Sequence, residues 1–92
     1  MESDTSVKDR KGIYYYPFPA NRRVRMYVRA EGDDVAFRMD NSDDPKMWAE
    51  HGWRPYAAIE QAVKIYNGKG FEPRQAYDIT IARALLKEHG EG

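Results

Sequence analysis

The sequence contains no cysteine, which excludes disulfide bonds and metal sites built on thiolates. It also lacks any apolar run that approaches the roughly 18 residues of a membrane-spanning helix. Its first residues form no hydrophobic signal segment, so we expect a cytoplasmic protein that does not bind membranes.

Residues that could carry catalysis are also scarce. The two histidines, His51 and His89, share no spacing typical of metal ligands. Outside residues 1–11, the serine and threonine hydroxyls are those of Ser42, which suits a helix-capping segment, and Thr80, which falls on a polar helix face. The sequence shows no nucleophile that could be combined with a general base. We therefore predict a non-catalytic protein without a cofactor or metal. Because carboxylates are plentiful, a small enzyme or ligand-binding domain with carboxylate chemistry remains an alternative.

The length and charge of the chain limit the class of protein further. A chain of 92 residues suits one domain with a modest core. The 15 Lys and Arg residues balance the 15 Asp and Glu residues, which argues against binding polyanions through bulk charge. The charge is uneven, because residues 12–39 hold five bases and three acids, whereas residues 40–66 hold three bases and five acids. The positive excess therefore lies on the segment that has the pattern of β-strands.

A hairpin between residues 22 and 40 organises the chain. Apolar and polar residues alternate on both sides of the Gly/Asp cluster at residues 31–34, which is typical of a half-buried antiparallel hairpin. A tight turn at Gly32–Asp33 would set the register. That turn places Met26 opposite Met39 and Val28 opposite Phe37 on the core face, with Arg25 opposite Asp40 and Tyr27 opposite Arg38 on the outer face.

The segment before this hairpin predicts one further strand. Residues 12–19 are rich in aromatics and end in two prolines, as expected for a first strand that pairs with the next one. We favour a register in which Ile13 and Tyr15 face the core while Tyr14 and Tyr16 face outward. Residues 1–11 mix acids and bases with little apolar content, so they predict a disordered tail. Residues 90–92 predict a second one, which leaves one domain at residues 12–89.

Three helices are predicted after the strands. Asp44 as N-cap with Pro45 at the first helical position begins a short helix that ends near His51 and Gly52. Apolar residues at helical spacing indicate a second helix from Pro55 to Tyr66, terminated by the segment at residues 67–70. The third helix runs from Pro73 to Glu88, and its apolar arc is so wide that we expect it to be covered on two sides, by the sheet and the second helix. Two of its residues, Ile79 and Leu86, are predicted to be almost wholly buried.

The fold predicted from these elements is α+β, in the order βββααα. It is a three-stranded antiparallel β-meander with the two main helices packed on one face. In chain order, the short helix that begins at Pro45 comes after the strands and before the two main helices. In space, we expect it to bridge at the sheet edge.

Three smaller patterns have a structural explanation that we prefer to a functional one. Asp40, Ser42 and Asp44 have the first spacings of an EF-hand loop, but Pro45 and His51 stand where that loop needs Gly and Glu. The glycines at residues 68–70 suit a helix terminus better than a phosphate loop. Asp78 lies inside the apolar arc of the third helix, and an ion pair with Arg74 explains it better than a carboxylate reaching a groove.

The outer face of the sheet is the candidate binding site. It carries arginines and tyrosines, which could contact an acidic partner or stack on nucleic-acid bases: Arg23, Arg25, Tyr27, Arg29 and Arg38, with Tyr14 and Tyr16. Arginine planes that lie over tyrosine rings and merely cover the sheet are the structural alternative.

The predicted function follows from that face. We expect a small interaction domain that binds an acidic protein partner, and exposure of Trp48 or Trp53 beside the arginines would support it. A nucleic-acid-binding module that uses the same face is the alternative, and the neutral net charge makes it the less favoured one. The sequence leaves the oligomeric state and the identity of the partner open.

Overall fold

Five antiparallel strands form one sheet in which each strand lies beside the next one in the chain. The structure is a computed structural model, and it describes residues 8–65 and 76–90. The strands are β1 (Lys8–Asp9), β2 (Gly12–Tyr15), β3 (Val24–Glu31), β4 (Asp34–Asn41) and β5 (Arg54–Pro55). The helices with described bounds are α1 (Pro45–Glu50), α2 (Tyr56–Ile65) and α3 (Ile79–Glu88).

The α+β class and the antiparallel sheet are confirmed, but the prediction of three strands in the order βββααα was wrong. The strands β1 and β5 each have two residues, too few to show an alternating pattern. Each forms because a longer neighbour offers its open edge: β1 pairs with β2, and β5 pairs with β4 at Ala36 and Phe37. As a result, α1 lies before the last strand in the chain and not after it.

The central hairpin has the predicted register. In β3 and β4, Met26 faces Met39, Val28 faces Phe37, Arg25 faces Asp40 and Tyr27 faces Arg38. Gly32 has a φ of 63°, which lies in the left-handed region that a two-residue hairpin loop requires and glycine adopts without strain. The first strand is also confirmed, because Ile13 and Tyr15 belong to the core while the rings of Tyr14 and Tyr16 meet on the other face.

The hydrophobic core lies between one face of the sheet and the helices α2 and α3. Aliphatic and aromatic side chains of β2, β3 and β4 meet Ile59 of α2 and Ala82 and Leu86 of α3. The Tyr15 hydroxyl donates a hydrogen bond to the carbonyl of Ala76 and accepts one from the backbone N–H of Asp78 at 2.9 Å. This buried tyrosine therefore ties the segment before α3 to the sheet.

Helix α3 differs from its prediction in where it begins and in how much of it is covered. It begins at Ile79 because Asp78 is its N-cap, accepting hydrogen bonds from the backbone N–H groups of Thr80 and Ile81 at 3.0 and 3.1 Å. The predicted start at Pro73 and the pairing with Arg74 lie outside the described residues. Leu86 is buried as predicted, but Ile79 is only half-buried and Ile81 is 41% exposed. The prediction that the apolar arc of this helix is covered on two sides was therefore wrong.

The segment before β2 differs from its prediction. Residues 8–11 form β1 and the turn into β2, although the sequence placed them in a disordered tail. Charge pairing explains the difference, since Asp9 contacts Arg25 and Tyr27 of β3. Residues 1–7, 91–92 and the predicted helix terminus and glycine segment at 67–70 lie outside the described residues. None of the described helices combines the length and apolar character needed to cross a membrane.

Candidate binding face of the sheet

The outer face of the sheet, opposite the core, carries a row of five aromatic rings that we call the ring row. Neighbouring centroids are 5.6, 5.3, 5.2 and 6.1 Å apart, within the usual range for paired aromatic side chains. In order along the row, the rings are those of Tyr16, Tyr14, Tyr27, Trp48 and Trp53.

Local sequence places each ring in the row. Tyr14 and Tyr27 are direct cross-strand partners between β2 and β3, so the antiparallel register brings their rings together. Trp48 is supplied by α1, which packs against β4. Trp53 lies just before β5, where pairing with β4 holds the chain at the sheet edge. Elements far apart in sequence therefore build one continuous aromatic layer.

Cations lie over these rings. The nearest cation–centroid distances are between 3.9 and 4.7 Å, close enough for favourable cation–π contact. Arg22 lies over Tyr16, Arg25 over Tyr14, Arg29 over Trp53, and both Lys11 and Arg38 over Trp48. Arg38 also donates hydrogen bonds to the Trp48 carbonyl, which anchors α1 to β4.

Carboxylates also reach this face and pair with part of its positive charge. Asp9 is the central one, accepting hydrogen bonds from Arg25 at 2.9 Å and from the Tyr27 hydroxyl at 2.6 Å. At the margins, Lys11 pairs with Asp40 at 3.0 Å, Arg23 with Asp43 at 3.3 Å, and Arg29 with Glu31 at 3.9 Å. The last contact is too long for a hydrogen bond, so the guanidinium N–H groups of Arg29 make none to Glu31.

The network around Asp9 shifts the pKa values of its members. Burial alone would raise the pKa of Asp9. Hydrogen bonds from Tyr27 and from the Lys11 backbone, together with the charge of Arg25, outweigh burial, so the pKa of Asp9 is lowered overall. Burial first, and then the bond to Asp9, raise the pKa of Tyr27. The pKa of Tyr16, at the end of the row, is lowered by hydrogen bonding with Arg22 and Tyr14. The pKa shifts of Asp9 and Tyr27 both favour the pair of a charged Asp9 and a neutral Tyr27, and they widen the pH range over which that pair exists.

The structure brings together six of the seven residues predicted for this face. Tyr14, Tyr16, Arg25, Tyr27, Arg29 and Arg38 all belong to the ring row or lie over it. Arg23 instead pairs with Asp43 in the segment after β4, and its side chain is 69% exposed. The rings are more covered than an exposed sheet would leave them, since Tyr14 and Tyr27 are buried.

Sequence reasoning missed three cationic or acidic members of the face: Asp9, Lys11 and Arg22. Asp9 and Lys11 lay in the segment taken as a tail, and only the pairing of β1 with β2 brings them to the sheet. Arg22 precedes β3, so it was not included in the alternating pattern of that strand. Its position close to Arg23 and Arg25 in the sequence could have indicated that it belongs to the same basic surface. Exposure of Trp48 or Trp53 beside the arginines was named as support for a protein-binding role; both lie beside the arginines, but both are half-buried.

The described part of the chain has no cluster suited to a metal ion. Among residues 8–65 and 76–90, no three His, Asp or Glu side chains converge closely enough to hold one. The outer face offers cationic hydrogen-bond donors that lie over aromatic rings. Comparisons with protein-family models, curated proteins and solved structures found no significant match to this chain.

Proposed function

We propose that this protein is a small non-catalytic interaction domain whose ring-row arginines bind an acidic segment of a protein partner. The observation that carries the proposal is the stacking of guanidinium groups on rings while their side chains stay accessible. The Arg29 side chain is 50% exposed and lies 4.4 Å from the centroid of Trp53. Arg22 is exposed and lies 4.4 Å from that of Tyr16.

Stacking prepares an arginine for carboxylate binding. A ring covers one flat side of the guanidinium and limits its motion, but the N–H groups around its edge still point outward. A carboxylate can then form paired hydrogen bonds with less loss of side-chain entropy than a free arginine would require. Arg22 and Arg29 are the best candidates because they are exposed, whereas Arg25 and Arg38 are half-buried and donate to Asp9 and to the Trp48 carbonyl.

The spacing along the face favours an extended partner segment. Neighbouring rings are 5.2–6.1 Å apart, and the two candidate arginines lie over the two ends of the row, Arg22 over Tyr16 and Arg29 over Trp53. Alternate side chains of a β-strand are about 6.6 Å apart, since each residue advances the chain by roughly 3.3 Å. A strand with Glu at alternate positions therefore offers carboxylates along the whole row, including one for Arg22 at one end and one for Arg29 at the other.

The same geometry makes nucleic acid the less favoured ligand. Stacking of bases requires accessible ring faces. Here Tyr14 and Tyr27 are buried, and cations occupy positions over Tyr16, Trp48 and Trp53. A nucleic acid would be limited to phosphate contacts, which the neutral net charge of the chain does not strengthen.

A titration followed by backbone NMR tests the proposal with three ligands: an alternating Glu–Thr decapeptide, the matching Lys–Thr decapeptide and a thymidine decanucleotide. We expect the Glu–Thr peptide to shift amides of β3 near Arg29 and of the segment near Arg22. A double variant, Arg22→Gln with Arg29→Gln, should bind it about fivefold more weakly, as expected for two partly exposed charge contacts. The control with the same charge change is Arg83→Gln with Lys87→Gln on α3, where both side chains are exposed.

Two results would contradict the proposal. Equal weakening in the ring-row variant and the α3 control would mean that only net charge matters. Stronger binding of the oligonucleotide than of the Glu–Thr peptide would favour the nucleic-acid alternative.

A further inference from the structure

On the core side of the sheet, a groove opens between β4, α1 and α2. It has a volume of about 380 Å³, at the lower end of the range for small-molecule sites. Its walls are mainly apolar and include Phe37 and Met39 of β4, Met47 of α1, and Ala62 and Val63 of α2. Such a lining suits an apolar ligand of modest size.

The charge at this groove has one sign. Arg54, His51 and Arg38 line it, and no carboxylate does so among the described residues. Arg38 contributes little charge there, because its guanidinium lies over Trp48 on the outer face. Arg54 is different: it is the partner of Phe37 between β5 and β4, and directly paired residues project to the same face of a sheet. Its side chain therefore projects to the groove side.

Arg54 has no acidic partner within residues 8–65 and 76–90. Tyr77 also lines the groove, and its ring packs edge-on at 5.7 Å against Phe37, the residue of β4 that pairs with Arg54. Burial raises the pKa of Tyr77, and the positive charge of Arg54 opposes that shift. Among the described residues the Tyr77 hydroxyl makes no hydrogen bond. The groove thus holds a cation and a hydroxyl for which the described residues supply no acidic partner and no hydrogen bond, respectively.

We propose that this groove binds a small apolar monocarboxylate. The hydrocarbon part of the ligand lies among Met39, Met47 and Val63, and its carboxylate accepts hydrogen bonds from the Arg54 guanidinium and the Tyr77 hydroxyl. A carboxylate is favoured over a neutral group because it supplies a counter-charge that no described residue gives to Arg54, and hydrogen bonds between charged groups are the stronger kind. The site lies on the opposite face of the sheet from the ring row and is independent of the acidic-partner proposal.

Three probes with the same tail separate the contribution of the head group: octanoate, 1-octanol and octylamine. Side-chain methyl NMR of the full chain follows each titration. Octanoate should shift the methyl signals of Met39, Met47 and Val63 in a saturable way and bind about tenfold more tightly than 1-octanol. The methyl of Met26, which is 0% exposed in the core, should stay unchanged and serves as the internal control.

Variants locate the carboxylate and the tail. Arg54→Gln keeps most of the side-chain length but removes the charge, so it should abolish the preference for octanoate over 1-octanol. Arg83→Gln, an exposed arginine on α3, is the matched control and should keep that preference. Ala62→Met extends an exposed side chain into the groove, so it should weaken octanoate and 1-octanol together while the fold is retained.

The proposal is overturned if octanoate, 1-octanol and octylamine bind with equal affinity, or if Arg54→Gln leaves the preference intact. It is also overturned if octanoate shifts no groove methyl, or shifts Met26 as much as Met47. None of these results depends on the acidic peptide, so the two proposals can fail separately.

Discussion

Met26 and Tyr27 are neighbours on β3, point to opposite faces of the sheet and are equally buried, with 0% and 1% of their surfaces exposed. The two faces reach this burial differently. On the core face, apolar side chains pack against α2 and α3. On the outer face, the short helix α1 places Trp48 against Tyr27, and arginine side chains lie over Tyr14, Tyr16 and Trp53. Tyrosine can be buried there because its hydroxyl reaches Asp9 while its ring stays among other rings.

This comparison shows that alternation of apolar and polar residues identifies the two faces of a strand but not which face meets water. A face of arginines and tyrosines has enough apolar stem and ring surface to exclude solvent from itself. The expected difference lies in stability. The core face should depend on volume and be insensitive to salt, whereas the outer face should depend on pH and charge.

The largest expected effect comes from Phe37→Ala on the core face. Phe37 is 1% exposed and packs against Tyr56 and Tyr77, so its truncation leaves a cavity that the sheet and two flanking elements cannot refill. We expect the free energy of unfolding to fall by about 3–5 kcal/mol, measured by urea denaturation. Ala57→Gly, on the exposed side of α2, is a control for general helix loosening and should cost only about 1 kcal/mol.

The next effect distinguishes the buried side of α3 from its exposed side. Leu86→Ala should lower the free energy of unfolding by about 2–5 kcal/mol, because Leu86 is 2% exposed within the core. Ile81→Ala and Thr80→Ala, both at exposed positions, should change it by less than about 1 kcal/mol. If Ile81→Ala costs as much as Leu86→Ala, the rotation of α3 about its axis is wrong.

Trp48→Ala tests the outer face directly. Its ring contacts Tyr27 and Trp53 and lies beneath Lys11 and Arg38, so the change removes the middle of the ring row. Because Trp48 is half-buried, we expect a loss of about 2–3 kcal/mol, less than for a fully buried aromatic side chain. Lys46→Ala, exposed on the same helix, is the control. A loss no larger than in that control would mean that the outer face is only a solvated surface.

Tyr15→Phe removes a hydroxyl that joins the sheet to α3 and leaves the Asp78 N–H and the Ala76 carbonyl without this partner. We expect a loss of about 1–2 kcal/mol at pH 7. Burial raises the pKa of Tyr15 in the folded protein, so its contribution is complete below the ordinary tyrosine pKa of about 10 and is lost as pH rises through the folded value. The variant should therefore lose less stability than the wild type between pH 9 and about 11. An unchanged alkaline slope would show that this hydroxyl is not buried.

The smallest effect concerns acid. The pKa of Asp9 is lowered in the folded protein, so its contribution is complete above the ordinary aspartate pKa of about 4 and is lost as pH falls through the folded value. Asp9→Asn should flatten the dependence of the urea midpoint on pH below about 4, and added salt should mimic part of this change. Asp33→Asn in the exposed hairpin turn is the control and should keep the wild-type slope. Equal slopes in all three proteins would place Asp9 outside the ring-row network.

The two functional proposals concern the two faces of the sheet. The first assigns a partner to arginines that lie over rings on the outer face, and the second assigns a carboxylate to Arg54, which lacks an acidic partner in the described chain. A partner bound at the ring row should respond to Arg29→Gln and not to Arg54→Gln. A carboxylate in the groove should show the reverse pattern.

The sequence alone determined the elements whose signals are local. The β3–β4 register followed from alternation plus the two-residue loop at Gly32–Asp33, because a slip by one residue would expose Met26 and Phe37. The start of α1 at Pro45 followed from a proline that suits the first turn, although the side chain of Asp44 makes no capping hydrogen bond. The outer-face positions of Tyr14, Arg25, Tyr27, Arg29 and Arg38 followed from the same alternation, since successive side chains of a strand point to opposite faces.

Only the tertiary structure decided what depends on contacts distant in sequence. Strands β1 and β5 exist because neighbouring strands offer open edges, and Asp9 reaches the outer face through that pairing. The start of α3 depends on Asp78, whose backbone N–H is held by Tyr15, 63 residues earlier in the chain. The burial of Tyr27 depends on Trp48 from α1 and on the carboxylate of Asp9. A local pattern records which way a side chain points, but burial is set by whatever the rest of the chain places over it.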